Sequence, residues 1–180
     1  MPPGKIRKMI RRFMTPQLVS SIYYFFKYGA KVSLRAEIDL TSSLKLGRNC
    51  VISSFTKIKA LGGYLKMGDR GGFGAGCVVS AYEGGIVIGD NFLCGPNVNI
   101  IGGNYVYHEK NVHLEDQGYT SKGIKIGNNV WVGAGTTILD GSIVGDNTII
   151  VANSLVNRRY PPNSFLQGNP AKIILRRNQS

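Results

Sequence analysis

The stretch IGNNVWVGAGTTI at 126–138, set beside IGDNFLCGPNVNI at 88–100, decides the fold. In the first, the period runs on as Ile126, Val132, Ile138, Val144, Ile150 and Val156, one apolar residue every sixth position. The same spacing joins Leu34, Leu40, Leu46, Ile52 and Ile58, then Met67, Phe73 and Val79, then Ile88, Cys94 and Ile100. Glycine follows eight of these 17 positions, against 24 glycines in 180 residues, so the pattern is positional rather than compositional. A period of six fits neither an amphipathic helix nor an alternating strand. It fits a coil in which each hexapeptide makes one short strand and one corner, and three hexapeptides close a triangular turn. The large aliphatic residue points inside. The glycine after it either relieves crowding or permits unusual backbone dihedrals at the corner.

Three breaks interrupt the register. The steps 58→67 and 79→88 are nine residues long, which places three-residue insertions at corners. The step 100→126 is 26 residues, so the chain leaves the coil over 102–123. Long loops on rigid scaffolds carry function, and this one holds both histidines, His108 and His113. The expected organisation is a basic helical segment at 1–33, a coil at 34–160 with its excursion at 102–123, and a short basic tail at 161–180. In the first segment Ile6, Met9, Ile10, Phe13 and Met14 share one helical arc and Lys5, Arg7, Lys8, Arg11 and Arg12 the opposite one, with Pro16 ending or restarting the helix. Leu18 to Tyr28, rich in aromatics, follows. Two roles stay open: a cap on the coil, or a cap that also contacts an anionic membrane or another partner.

Charge sharpens this division. The chain carries 22 Lys plus Arg against 10 Asp plus Glu, a net +12. All ten acids and ten of the bases fall within 32–157, so the whole excess sits in 1–31 and 158–177. A duplex-binding domain spreads its bases along a docking face, so nucleic acid is not the expected partner. Cys50, Cys77 and Cys94 are odd in number with no CxxC, which reads as small core residues rather than a disulfide or zinc framework. No apolar run reaches 18 residues, and no small-residue cleavage site follows the N-terminal stretch, so neither a spanning helix nor a signal peptide is expected. The expected location is cytoplasmic, with peripheral contact at the inner membrane face.

The hexapeptide register, IGNNVWVGAGTTIL at 126–139, the Pro161-Pro162 turn and GNPAK at 168–172 together resemble the hexapeptide-repeat acyltransferases, most of all the maltose/galactoside acetyltransferases and similar polysaccharide O-acetyltransferases. The resemblance covers about 34–175. It implies an all-β fold, a left-handed parallel β-helix, assembled as a homotrimer with active sites between subunits. It implies transfer of an acetyl group from acetyl-CoA to a hydroxyl of a sugar or polysaccharide precursor, with no metal. Matched to the family, Ala134 and Ala152 fall where the backbone contacts the pantetheine arm. Arg158, Lys172 and Arg176 fall near the phosphates. Small residues allow close approach and Lys or Arg suits phosphate; a tight corner and solvated charge explain the same residues without a ligand. Trp131 falls beside the family's acceptor site, and an anchor at a subunit interface accounts for it equally. Asn104 and Tyr105 open the loop at the acceptor position.

One departure stands out. The family keeps a histidine general base at the start of the long loop, where this chain has Tyr105. A tyrosine with an ordinary pKa near 10 is a poor base at neutral pH, and a histidine a good one. Three readings remain: His108 is the base, the base is lost and leaves a slow enzyme or a CoA-binding or scaffold protein, or the loop register is shifted by a few residues. Glu109, Glu115 and Asp116 are candidates to orient a histidine or recognise a sugar, and Gln117 reads as structural. An amino sugar or an antibiotic is an alternative acceptor. A zinc hydratase on the same coil is weakly supported, because two histidines in one loop fall short of three ligands.

Overall fold

The computed structural model describes residues 17–177. The helix expected over 6–14, with Pro16, lies outside them. Three parallel faces build the coil. Face A holds β1 (Lys31–Val32), β4 (Val51–Ile52), β7 (Gly72–Phe73), β10 (Leu93–Cys94), β15 (Trp131–Val132), β18 (Ile149–Ile150) and β21 (Ser164–Gln167). Face B holds β2 (Glu37–Ile38), β5 (Lys57–Ala60), β8 (Val78–Ala81), β11 (Asn99–Ile101), β16 (Thr137–Leu139) and β19 (Leu155–Val156). Face C holds β3 (Leu44–Lys45), β6 (Leu65–Met67), β9 (Ile86–Ile88), β14 (Ile124–Ile126), β17 (Ile143–Val144) and β20 (Arg159–Tyr160). Each strand pairs with the strand one full turn away. Ile58, Val79, Ile100, Ile138 and Val156 therefore stack in one inward column on face B.

The first turn departs from the expected register. Leu34 is 60% exposed and Leu40 only half-buried. Val32 and Ile38 take their places, aligned with Ile52 and Ile58. The step from Ile38 to Leu46 is eight residues, so this corner carries an insertion that the six-residue reading passed over.

Each hexapeptide also buries a second residue, two positions before the aliphatic one: Cys50, Thr56, Cys77, Phe92, Val98, Val130, Thr136, Ser142, Thr148 and Ser154 among them. The hydroxyls remain satisfied inside the coil. Thr56 donates to Gly74 O at 2.7 Å and Ser142 to Val156 O at 3.1 Å, which avoids the cost of an unpaired buried polar group. Cys77 Sγ lies 3.7 Å from Cys94 Sγ, and its hydrogen bond with Cys94 draws the Cys77 thiol down to about 7.

The glycine after each aliphatic residue answers crowding. A Cβ on Gly133 would lie 2.4 Å from Ala152 N. The left-handed backbone falls two residues later, on Asn91, Asn97, Asn129, Asn147 and Asn153, or on Gly135 with φ 69°. Asparagine tolerates that region better than most residues. At the C/A edge a ladder of side-chain acceptors joins the turns: Asp69 Oδ1 takes Arg48 N–H at 2.8 Å, Asp90 Oδ1 takes Asp69 N–H at 2.7 Å, and Asn128 Oδ1 takes Asp90 N–H at 2.8 Å.

Both ends are closed. Helix α1 (Gln17–Tyr28) puts Tyr24 into the buried column, with its hydroxyl donating to Asp39 O at 3.0 Å. It stops at Gly29, in the left-handed region, whose N–H reaches Phe25 O at 2.8 Å. At the other end β22 (Lys172–Arg176) runs antiparallel to β21. Tyr160, buried, donates to Ala171 O at 2.9 Å.

The outward columns differ in character. Face A shows Val51, Leu93, Trp131, Ile149 and Phe165 in register. Face C shows Lys45, Lys66, Lys125 and Arg159. The 32–157 segment is neutral by count, yet folding gathers several of its bases onto one face.

Candidate active site

The excursion leaves after Ile101 and returns at Ile124, at the edge between faces B and C. Its base is a hairpin, β12 (Asn104–Tyr105) against β13 (Tyr119–Thr120). Ser121 clamps it to the coil by donating to Gly102 O at 2.5 Å and accepting Gly84 N–H at 2.9 Å. Farther out Gln117 acts as a staple, its amide donating to Glu109 O at 2.8 Å and Val112 O at 2.9 Å while its Oε1 accepts Glu109 N–H. Its structural reading fits these contacts.

Tyr82, Tyr119 and Tyr105 stand in a row along this edge, with ring centroids 5.2 and 4.5 Å apart. The hydrogen bond with Tyr105 pushes the Tyr119 hydroxyl up to about 12, so it stays protonated at neutral pH. His108 is exposed beyond the hairpin, its ring 4.7 Å from that of Tyr107. His113 is exposed as well. Among the described residues, no carboxylate forms an ion pair with either imidazole. Glu109, Glu115 and Asp116 thus do not orient them in this chain alone. No cluster of three His, Cys, Asp or Glu side chains suited to a metal occurs among the described residues.

Ala134 and Ala152 sit one above the other at the A/B edge, where Asn153 N–H reaches Ala134 O at 2.9 Å. Gly95 and Pro96 form the rung before them; a Cβ on Gly95 would lie 2.8 Å from Ala134 N. This run, half-buried to exposed, carries no side chain longer than proline at Gly95–Pro96, Gly133–Ala134 and Ala152, and makes a ledge across three turns. Lys172, exposed and paired with Gln167, stands at the end of the same edge. Arg158 lies at the B/C edge, and Arg176 pairs with Ser164 near the C/A edge, its guanidinium 3.4 Å from Pro162 O. Trp131 points out from face A between Leu93 and Ile149.

One copy of the chain therefore gathers Ala134, Ala152 and Lys172 but not the loop. The edge that bears His108, Asn104, Tyr105 and Arg158 lies opposite face A, and so away from Trp131. Gly95 and Pro96 escaped the sequence reading, although aligning LCGPN with WVGAG puts them in the column of Gly133 and Ala134. Nothing local marked Ser121 as the clamp.

The triangular coil and its six-residue repeat define the class: a left-handed parallel β-helix of hexapeptide repeats. Residues 123–158 match the family described as bacterial transferase hexapeptide (six repeats). Galactoside O-acetyltransferase of Escherichia coli (strain K12) is 40% identical over 90 residues, covering 49% of this chain and 43% of the relative. Among solved structures, maltose O-acetyltransferase from Clostridium difficile 630 aligns at TM-score 0.59 and 24% identity over 98% of this chain and 84% of that one. A mutant of AntD, an N-acyltransferase from Bacillus cereus, in complex with dTDP and coenzyme A, aligns at TM-score 0.74 and 16% identity, covering 83% of this chain and 82% of that one. The chain spans about half the length of the curated relatives it matches.

Proposed function

We propose that this protein is an O-acetyltransferase that moves an acetyl group from acetyl-CoA to a hydroxyl of a sugar or polysaccharide precursor. The observation that carries the reading is the ledge Gly95–Pro96, Gly133–Ala134, Ala152 ending at Lys172. A thioester arm needs a narrow track without side chains, and its phosphates need a cation at one end. Relatives named as acetyltransferases, and a fold neighbour solved with coenzyme A, support the same ligand.

The chemistry asks for a base. The imidazole of His108 takes the proton from the acceptor hydroxyl as that oxygen bonds to the thioester carbonyl carbon; the C–S bond then breaks and the CoA sulfur leaves, taking up a proton. Within one copy His108 and the ledge lie on different edges. A homotrimer that sets the A/B edge of one copy against the B/C edge of the next brings His108, Asn104, Tyr105 and Arg158 to the ledge. The apolar outward column of face A, Trp131 included, supports association and favours the interface reading of that residue. Arg176, at the third edge, contributes to the same phosphate site only if the tail reaches around.

The cytoplasm, where acetyl-CoA is available, is the proposed location, with residues 1–33 at the inner membrane face. Among the described residues no helix is long and apolar enough to cross a membrane.

The test is CoA release from acetyl-CoA in the presence of mono- and oligosaccharide acceptors, read with a thiol reagent. The proposal expects acceptor-dependent release. A second reading, a CoA-binding protein without turnover, is favoured by Tyr105 at the base position and by the unpaired imidazoles; CoA binding with no release would establish it.

A further inference from the structure

Helix α1 is inverted relative to an ordinary surface helix. It buries Ser20, Ser21 and Tyr24 and turns Leu18, Val19, Ile22, Phe25 and Phe26 outward. Phe26, with 82% of its surface exposed, is the most exposed large apolar residue among those described. Val19, Ile22 and Phe26 recur at the three- and four-residue spacing that lines one helical face, directly opposite Ser20 and Tyr24. Beside that face an open groove of about 600 Å³ runs between Leu18, Ile22, Phe25 and Phe26 on the helix and Val32, Leu34 and Val51 on the coil. A soluble helix exposing five large apolar side chains in one arc calls for a cover.

We infer that the outward face of α1 is an interfacial anchor that lies in the headgroup region of an anionic lipid bilayer. Charge selects this occupant over a second copy of the chain. Residues 1–31 carry Lys5, Arg7, Lys8, Arg11, Arg12, Lys27 and Lys31 and no acid, so by composition this segment favours anionic lipid over another like-charged copy. Lys27 lies on the flank of α1, its ammonium 5.0 Å from the Tyr23 ring centroid and 5.2 Å from that of Tyr28. Aromatic rings and a cation bordering an apolar arc are the chemistry of a membrane interface. The face lies on the side of α1 remote from the buried Tyr24. The inference deepens the membrane location proposed for residues 1–33 and does not depend on acetyl transfer, since it predicts binding to lipid even if no turnover is found.

The experiment is flotation of the full-length chain with vesicles of phosphatidylcholine containing roughly a third phosphatidylglycerol, beside vesicles of phosphatidylcholine alone. Wild type should float with the anionic vesicles only, and less at high salt. The double variant Ile22→Ser/Phe26→Ser should lose about tenfold or more in vesicle affinity, since two large apolar side chains no longer enter the interface. Both positions are exposed, so its thermal melt and its mass by light scattering should match wild type. Failure of wild type to float, or equal flotation of the variant, overturns the inference. A change in the variant's mass in solution overturns it as well, because the face would then be covered by another copy.

Discussion

Gly133→Ala tests the packing that makes the proposed ledge. Gly133 does not occupy the left-handed region, so alanine is compatible with its backbone. The obstacle is space: the added methyl would lie 2.4 Å from Ala152 N, 2.7 Å from Ala152 Cα and 2.9 Å from Ile150 O. All three are backbone atoms of the next turn, and none can swing aside as a side chain tip would. Restoring ordinary contact requires the two turns to part locally by about 1 Å, against the hydrogen bond from Gly133 N–H to Ile150 O at 2.7 Å. Overpacking of this kind costs about 2 kcal/mol. For a chain of this size that lowers the melting temperature by about 4–8 °C. The parted turns are those of Ala134 and Ala152, so CoA affinity should fall by about tenfold, the equivalent of 1.4 kcal/mol. Calorimetric melting and titration with CoA read the two effects. A variant that melts like wild type refutes the close approach. A variant that melts lower but binds CoA unchanged refutes the ledge as the CoA site.

Three further outcomes follow from named contacts. His108→Ala should abolish acceptor-dependent CoA release while CoA binding by titration stays intact; unchanged turnover removes His108 from the mechanism. The Arg48 guanidinium holds the Asp69 carboxyl below its ordinary 3.8, aided by the backbone N–H of Arg48. The unfolded chain thus takes up this proton first as pH falls, so the contribution is present above about pH 4 and is lost below it. Asp69→Asn keeps an acceptor for Arg48 N–H, as Asn128 does for Asp90. Acid unfolding followed by circular dichroism should show a shallower loss of stability below pH 4 in that variant, a small effect because the pair is exposed. Trp131→Lys puts a charge into the apolar column of face A and should shift the chain toward monomer in light scattering. An unchanged mass would return Trp131 to the acceptor site.

The coil was legible where its period is strict. From Ile126 to Val156 every aliphatic position points inward, because no corner there carries an insertion. The first turn misled: Leu34 and Leu40 preserve the period arithmetically, but Val32 and Ile38 pair with Ile52 and Ile58. A second inward column stayed hidden because it holds Thr56, Thr136, Ser142, Thr148 and Ser154, polar residues; the hydroxyls of Thr56, Thr136 and Ser142 reach carbonyls of Gly74, Val151 and Val156 only once the turns stack. The excursion was visible as a gap in the register. Which edge it leaves from was not, since that depends on counting strands through each insertion. For the same reason Ala134, Ala152 and Lys172 could be named from sequence but not told apart from Arg158 and Arg176, which fold onto other edges. The apolar arc of α1 was present in the letters; its outward orientation emerged only from the burial of Ser20, Ser21 and Tyr24.

The central claim is an acetyl-transfer site completed between copies, and subunit mixing measures it most directly. His108→Ala removes the loop's base, and Ala152→Trp blocks the ledge. Each variant alone should be inactive. Coexpressed in equal amounts they form mixed trimers, and roughly a quarter of the sites then pair an intact ledge with an intact loop from the next copy in a head-to-tail ring. The account predicts recovery of about that share of wild-type CoA release. Mixed trimers as inactive as either variant alone, beside an active wild type, would contradict it.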